Sequence, residues 1–291
     1  MLVAMAGFTL EDAFIKQLST TFSTGQIIMT SGVFSSMFFT IVCLTKGHKI
    51  LSPDVWTRAT FTRMLGEAIA AVAFVKALTL IPLSTVAAVF QVTPLAITMG
   101  AALFLREKVG WRRWVAITIG FFGVMLIIKP GVDGFDPSVF WVILAVVGVV
   151  LRDLVTRIIP AKVSSSIISL QAFLAAIVVS TILLLITSDT LVTVSAKESV
   201  LYAGAIMFGI AGYYAIVSAM RVGDASIVAP FRYTRLLFSL TTGMIIFGER
   251  LDYLSILGSV IIIGTGLYTF LREKQLAEAE QPNKFADDRA R

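Results

Sequence analysis

Ten charged residues stand inside otherwise apolar runs of this 291-residue chain: Glu11, Asp12, Lys16, Arg63, Glu67, Lys76, Arg152, Asp153, Arg232 and Arg235. In lipid, a charge at a helix centre costs about 2.5–3.5 kcal/mol on insertion scales, so such a side chain is expected to face a cavity or a partner. Asp12 with Lys16, Arg63 with Glu67 and Asp153 with Arg157 are each four residues apart, which puts each pair on one helical face where it can neutralise itself. Arg232 and Arg235 have no acid at helical spacing on their own segment. Counted from Ala225 at 1.5 Å per residue, Arg235 lies about 15 Å deep, near a membrane midplane. With Tyr233 between them, the two guanidiniums could hold a planar, polar or anionic group. Acids on other segments, namely Glu11, Glu67 or Asp153, are the alternative partners, and both readings can hold in different states.

Other chemistry is scarce. His48 is the only histidine and Cys43 the only cysteine, which removes nearly every His-based catalytic or metal scheme and any disulfide within the chain. No Asp-rich metal motif or activated nucleophile is visible, and Asp133-Gly-Phe-Asp136 lacks the further oxygen ligands of a calcium loop. No metal, no cofactor and no enzymatic activity are expected.

The elements that must position these residues follow from composition. Hydrophobic side chains make up 57% of the chain and charged ones 14%, with a mean hydropathy of +0.90, too few polar atoms to cover a water-soluble fold. Apolar runs separated by turn residues predict an all-α integral membrane protein with ten spans near 1–19, 24–44, 60–80, 83–105, 111–128, 138–158, 166–187, 199–220, 225–247 and 252–271. The opening run reads as a first helix, because Glu11 and Asp12 interrupt it and no cleavage pattern follows. From Arg272 the chain turns polar, so 272–291 is expected to be a disordered cytoplasmic tail. With ten spans both termini share a side. Loops on the terminal side carry fifteen Lys and Arg against three on the other, Lys129, Lys197 and Arg250, which makes that side cytoplasmic. This distribution also accounts for the net charge of +6 without nucleic acid.

Internal repetition gives the charges a frame. A shift of 142 residues lays Ala77-Leu-Thr-Leu-Ile-Pro-Leu-Ser84 on Ala219-Met-Arg-Val-Gly-Asp-Ala-Ser226 and Glu107 on Glu249; a shift of 141 lays Asp12 on Asp153 and Lys16 on Arg157. The chain is thus read as two related five-helix halves, 1–134 and 135–271. Five being odd, the second half enters the membrane from the opposite side, and an inverted repeat around a central cavity suits alternating access. Asp12 and Lys16 then stand toward one mouth and Asp153 and Arg157 toward the other, as candidate gates. Opposite Arg232, Tyr233 and Arg235 the first half offers Phe90, Gln91 and Thr93 beside Pro94, which loosens its helix. Glu67 and Lys76 complete the candidate substrate-binding set. The glycines within the helices, Gly264 among them, are expected at close helix contacts.

Phe104-Leu-Arg-Glu107 and its counterpart Phe247-Gly-Glu-Arg250, each followed by a glycine-bearing helix, resemble the EamA type of the drug/metabolite transporter superfamily over nearly the whole chain. The first half departs from the pattern, with Arg106 where the second has Gly248. The stretch Leu2 to Lys16 resembles the subgroup that includes bacterial riboflavin and S-adenosylmethionine carriers. The resemblance implies a ten-helix secondary transporter of the inner (plasma) membrane with cytoplasmic termini and a small-molecule substrate. Riboflavin uptake is the specific expectation; S-adenosylmethionine, an amino acid or another carboxylate, imported or exported, is the alternative. An intramembrane lipid-modifying enzyme is the reading from another class, and a homodimer remains open.

Overall fold

The computed structural model describes residues 1–106, 110–130, 135–160, 162–222 and 229–288, without the side chains of 216–222, 229–230, 273–274 and 276–288. Glu107, Asp133, Ser226 and Ala225, the start of the ninth predicted span, are used in the readings above and lie outside the described residues. Among the described residues the regular elements are all helical: α1 (Leu2–Leu18), α2 (Thr24–Thr45), α3 (Arg58–Leu80), α4 (Leu83–Phe90), α5 (Thr93–Phe104), α6 (Trp111–Ile128), α7 (Val139–Thr156), α8 (Ser165–Thr187), α9 (Ala196–Val222), α10 (Thr234–Phe247) and α11 (Tyr253–Asp288), with 3-10 turns at Pro53–Val55 and Ala229–Tyr233. Taking α4 with α5, and the second 3-10 turn with α10, these make ten passes in the order and places the apolar runs predict. Six passes are long and apolar enough to cross a membrane by length and composition. Glu11, Asp12 and Lys16 lie on α1, Arg63, Glu67 and Lys76 on α3, and Arg235 on α10, none of which is among those six.

Local chemistry sets the helix limits. Ser23 and Ser164 cap α2 and α8 by accepting from Gln26 N and Ile167 N, and Thr57 with Thr60 forms a capping box on α3. Ile81 is extended (φ −128°, ψ 164°) because Pro82 follows it, and this turns α3 into α4. The fourth pass breaks at Gln91 and Val92. Pro94 has no amide to give the Phe90 carbonyl, and the Thr93 hydroxyl donates to that carbonyl instead. The final helix runs on to Asp288, beyond Arg272 where the composition predicts disorder. The run Leu271-Arg-Glu-Lys-Gln-Leu-Ala-Glu-Ala-Glu280 consists of strong helix formers, whose backbone preference can extend a helix past its apolar stretch.

The dominant packing is between halves. The α1 helix lies against α9, α2 against α8, α3 against α7, α4 against α10 and α6 against α11. Exchanging pass n of the first half with pass n+5 of the second maps this set of pairs onto itself. The α3–α7 pair is antiparallel, since Arg63 reaches Thr156 while Ala70 faces Gly148. Their backbones touch there: a Cβ on Gly148 would come within 2.6 Å of Ala70 N, and one on Gly66 within 2.8 Å of Arg152 N. Small residues permit such approach where no hydrophobic effect drives helices together. Gly264 differs from expectation, because nothing lies within 4 Å of its missing side chain. The main core gathers Leu78, Leu83, Val86, Leu95, Val142, Leu236 and Ile262 where the halves meet, and Cys43 is buried in a second cluster with Phe39 and Ile167. Phe34, Met37 and Ile41 of α2, with Leu185 and Ile186 of α8, project outward as a face that lipid would cover.

Candidate functional site

The two broken passes meet at their breaks. Gln91, buried at the end of α4, donates its amide to Tyr233 O at 3.3 Å and Arg232 O at 3.5 Å, tying the first-half discontinuity to the 3-10 turn that opens α10. Beside this junction lies a cavity of about 350 Å³ lined by Pro94, Ile97, Thr98, Asp153, Thr156, Arg157 and Arg232, a size within the range of small-ligand sites. Arg232 is exposed to it and has no ion pair within 4 Å among the described residues. The cavity lies toward the end of the bundle where α3 begins and α7 ends.

A chain of charges forms its wall. Arg63 and Glu67 make the four-apart pair the spacing predicts, at 3.3 Å. Glu67 also receives Arg152 at 3.3 Å, and Arg152 Nε donates to Asp153 Oδ1 at 2.7 Å. Arg63, buried, donates to Thr156 Oγ1 at 3.1 Å and Ile168 O at 3.4 Å. Glu67 therefore braces the α3–α7 crossing rather than lining the cavity, while Asp153 and Thr156 present the crossing to the space. Arg157 lines the same space from just beyond α7.

Arg235 is not free. Its Nη2 donates to Asp12 Oδ2 at 2.7 Å, and its guanidinium carbon lies 5.3 Å from the ring centre of Phe8 and 5.6 Å from those of Phe74 and Phe90. The carboxylate is buried, and three rings from α1, α3 and α4 box the cation. This corrects two expectations. Asp12 pairs across the bundle with Arg235 and not along α1 with Lys16, and Arg235 has an acid other than Glu11, Glu67 or Asp153. A planar guanidinium that can stack on rings while donating to a carboxylate outcompetes a flexible ammonium one turn away. Phe90 belongs to this box, against Phe74 at 4.9 Å, and buried Tyr233 turns its hydroxyl toward Gly266 of α11. Neither ring reaches the cavity, and Lys76 lies outside it too.

Lys16 serves the opposite end of the bundle. Its ammonium donates to Leu78 O at 3.2 Å, in the last turn of α3, and to Ile81 O at 2.7 Å, on the extended residue that caps it, and stands 4.0 Å from Glu249. Glu249 accepts from Leu83 N at 2.6 Å and Ser84 N at 2.9 Å. Lys129 and Asp252 form a further ion pair at this end, where Asp252 follows α10.

The sequence reading singles out neither Thr98 nor Thr156, and it sees Arg152 as a buried charge without making it the hub that joins Glu67 to Asp153. The place of Thr98, one turn beyond Pro94 in the broken pass, was a usable signal. Thr156 had none, since a threonine near a helix end is ordinary.

The profile of the EamA-like transporter family matches this chain twice, over residues 1–129 and 136–271. An S-adenosylmethionine uptake transporter of Rickettsia conorii is 31% identical over 201 residues, covering 68% of this chain and 66% of that protein. A riboflavin transporter of Vibrio cholerae is 31% identical over 176 residues, covering 60% and 58%. The chain thus aligns with just under two thirds of the first relative's length and less of the second's. A solved crystal structure superposes with a TM-score of 0.63 at 18% identity, over 94% of this chain and 97% of that one, a likeness of fold alone.

Proposed function

Because the chain belongs to the EamA-like transporter family, we propose that it is a secondary carrier that moves a small organic metabolite across the inner membrane by alternating access. On this reading the halves 1–134 and 135–271 exchange conformations, both termini are cytoplasmic, and the protein performs no chemistry on its substrate. The cavity at the Asp153 end is then the inward-facing half of the route, and Lys16 stands at the closed outer end.

The observation that carries the substrate class is Arg232, whose guanidinium faces the cavity with no ion pair among the described residues. Together Arg232, Arg157 and Asp153 give the lining two positive charges and one negative, with the hydroxyls of Thr98 and Thr156 beside them. That set suits a carboxylate held by arginine on a molecule that also carries an ammonium group, in other words an amino-acid end. S-adenosylmethionine has such an end, and the similarity to its uptake transporters supports it. Riboflavin is the second reading, favoured by the similarity to the Vibrio cholerae protein, but the aromatic rings expected to stack on it are engaged elsewhere.

The deciding experiment is a thermal-shift screen of the purified protein against S-adenosylmethionine, riboflavin and the common amino acids, since a ligand of the folded state raises its apparent stability. Uptake of the labelled compound into proteoliposomes would follow. We expect stabilisation by S-adenosylmethionine and its loss in Arg232→Met. Stabilisation by riboflavin alone would reverse the order of the two readings, and an unchanged Arg232→Met response would remove Arg232 from the site.

A further inference from the structure

The helix ends at the corner between α3 and α4 carry backbone groups that no helix can satisfy, four carbonyls at one end and, since Pro82 has no N–H and Val86 N already bonds Pro82 O, three amides at the other. Pro82, the cap residue of α4, has no side-chain group to offer. Two charges from elsewhere fill the gap. The Lys16 ammonium takes the Leu78 and Ile81 carbonyls, and the Glu249 carboxylate takes the Leu83 and Ser84 amides, one with each oxygen. Each sign matches the helix end it meets, a cation at a C-terminus and an anion at an N-terminus.

The cap on α4 comes from the other half of the molecule. Glu249 follows α10, which ends at Gly248 in the left-handed conformation (φ 63°, ψ 24°) that glycine tolerates. Its amide donates to Gly243 O at 3.0 Å, so the residue folds back on its own helix. A Cβ on Gly243 would run into the Glu249 carboxylate, so the missing side chain leaves the carboxylate its room. The clasp therefore joins the first-half corner to the end of α10, at the end of the bundle opposite the cavity.

We propose that Glu249, capping α4 across the two halves and braced by Lys16, is the positioning residue that keeps the bundle closed at the end opposite the cavity. Opening there must part α10 from α4 and break both hydrogen bonds that the Leu83 and Ser84 amides donate to Glu249. Such a clasp suits a reversible gate, because admitted water replaces each lost bond on the amides and on the carboxylate, whereas a sealed apolar contact would gain nothing from water. The inference rests on the carrier reading but not on any substrate.

The test is cysteine accessibility in a Cys43→Ser background, with a reporter introduced by Ser84→Cys, which keeps the backbone amide and lies beneath the clasp. A second reporter, Ser180→Cys at a fully buried position of α8, monitors general loosening. A membrane-impermeant maleimide is applied to intact cells and to inverted vesicles, so the outcome does not depend on assigned orientation. Glu249→Gln replaces one carboxylate oxygen with an NH2 group that cannot accept from an amide. Gly243→Ala keeps the charge and takes away its space, and so remains informative if the first variant fails to fold. We expect each folded variant to label at position 84 about tenfold faster, from the clasp side only, with position 180 still protected. Labelling at the unmodified rate in folded variants, or a rise at both reporters, overturns the proposal. If no compound stabilises or is taken up while position 84 responds as expected, the substrate assignment fails and the clasp stands.

Discussion

The residue that most changes meaning between sequence and structure is Arg235. Its position suggested an unpaired cation awaiting a ligand, yet it is held by Asp12 and three phenyl rings. Removing one partner of a buried pair leaves an uncompensated charge and costs about 3–5 kcal/mol. Arg235→Met should therefore lower folded yield and melting temperature, and adding Asp12→Asn should restore much of the loss, because the carboxylate left behind causes most of it. A double-mutant cycle on melting temperature measures this, and additive losses would mean that the pair is not coupled. Arg232 should behave in the opposite way. Arg232→Met should fold normally and weaken substrate binding about 10- to 100-fold, the range of a charge-assisted hydrogen bond worth about 1.5–3 kcal/mol, as read by the ligand concentration needed for half-maximal thermal shift.

Helices in this bundle are joined by close backbone approach and by charges that cross between them. Gly148 and Gly66 bring α3 and α7 together where Arg63, Glu67, Arg152 and Asp153 interlock. Because the atoms facing Gly148 are backbone, they cannot swing aside, and overpacking of this kind costs about 1–3 kcal/mol. Gly148→Ala should reduce expression and melting temperature and loosen the wall carrying Asp153. Gly264→Ala, facing open space in α11, should leave both unchanged or slightly raised, since alanine is the better helix former by about 1 kcal/mol. Parallel thermal melts compare the two, and equal losses would contradict the packing argument. The breaks at Gln91 and before Thr234 expose backbone groups in the interior, which is tolerated in membrane proteins only where protein or a water-filled cavity surrounds them. Gln91→Leu would remove the amide that donates to the Arg232 and Tyr233 carbonyls and ties the two breaks together, and should reduce stability more than its small change in size suggests.

At the scale of the whole molecule, the pairing of every first-half pass with a second-half pass makes the interface between halves the core itself. On the proposed carrier reading, halves so joined would rock one against the other without separating, opening one end as the other closes. The cavity and the Lys16–Glu249 corner stand at opposite ends, as such a motion requires. The proposed orientation in the membrane, with both termini cytoplasmic, rests on the lysine and arginine bias and can be tested directly. A reporter active only in the cytoplasm should work when fused after Arg291 and fail after Pro130. The reverse pattern would invert the assignment of inner and outer ends while leaving the packing intact.

The sequence alone determined the architecture, because the elements of a membrane protein are fixed by an energy that acts on each segment separately. Every apolar run must cross or leave the bilayer, and each carries its own length, flanking charge and turn residues. The ten passes, the break near Pro94 and the charges worth asking about were legible for that reason, as was the Arg63–Glu67 pair, whose partners share one helix. Which charges meet across helices was not legible. Spacing offered Asp12 only Lys16, and it was the packing of α1 against α10, with Phe8, Phe74 and Phe90 enclosing the guanidinium, that gave it Arg235. Likewise Glu249 stood out as part of a repeated motif, but its function as a cap on α4 needed a backbone amide 166 residues away in sequence to be brought to its oxygen. Helix formation is local and leaves a record in spacing; partner choice depends on rotation and depth between helices, which single-helix periodicity does not encode.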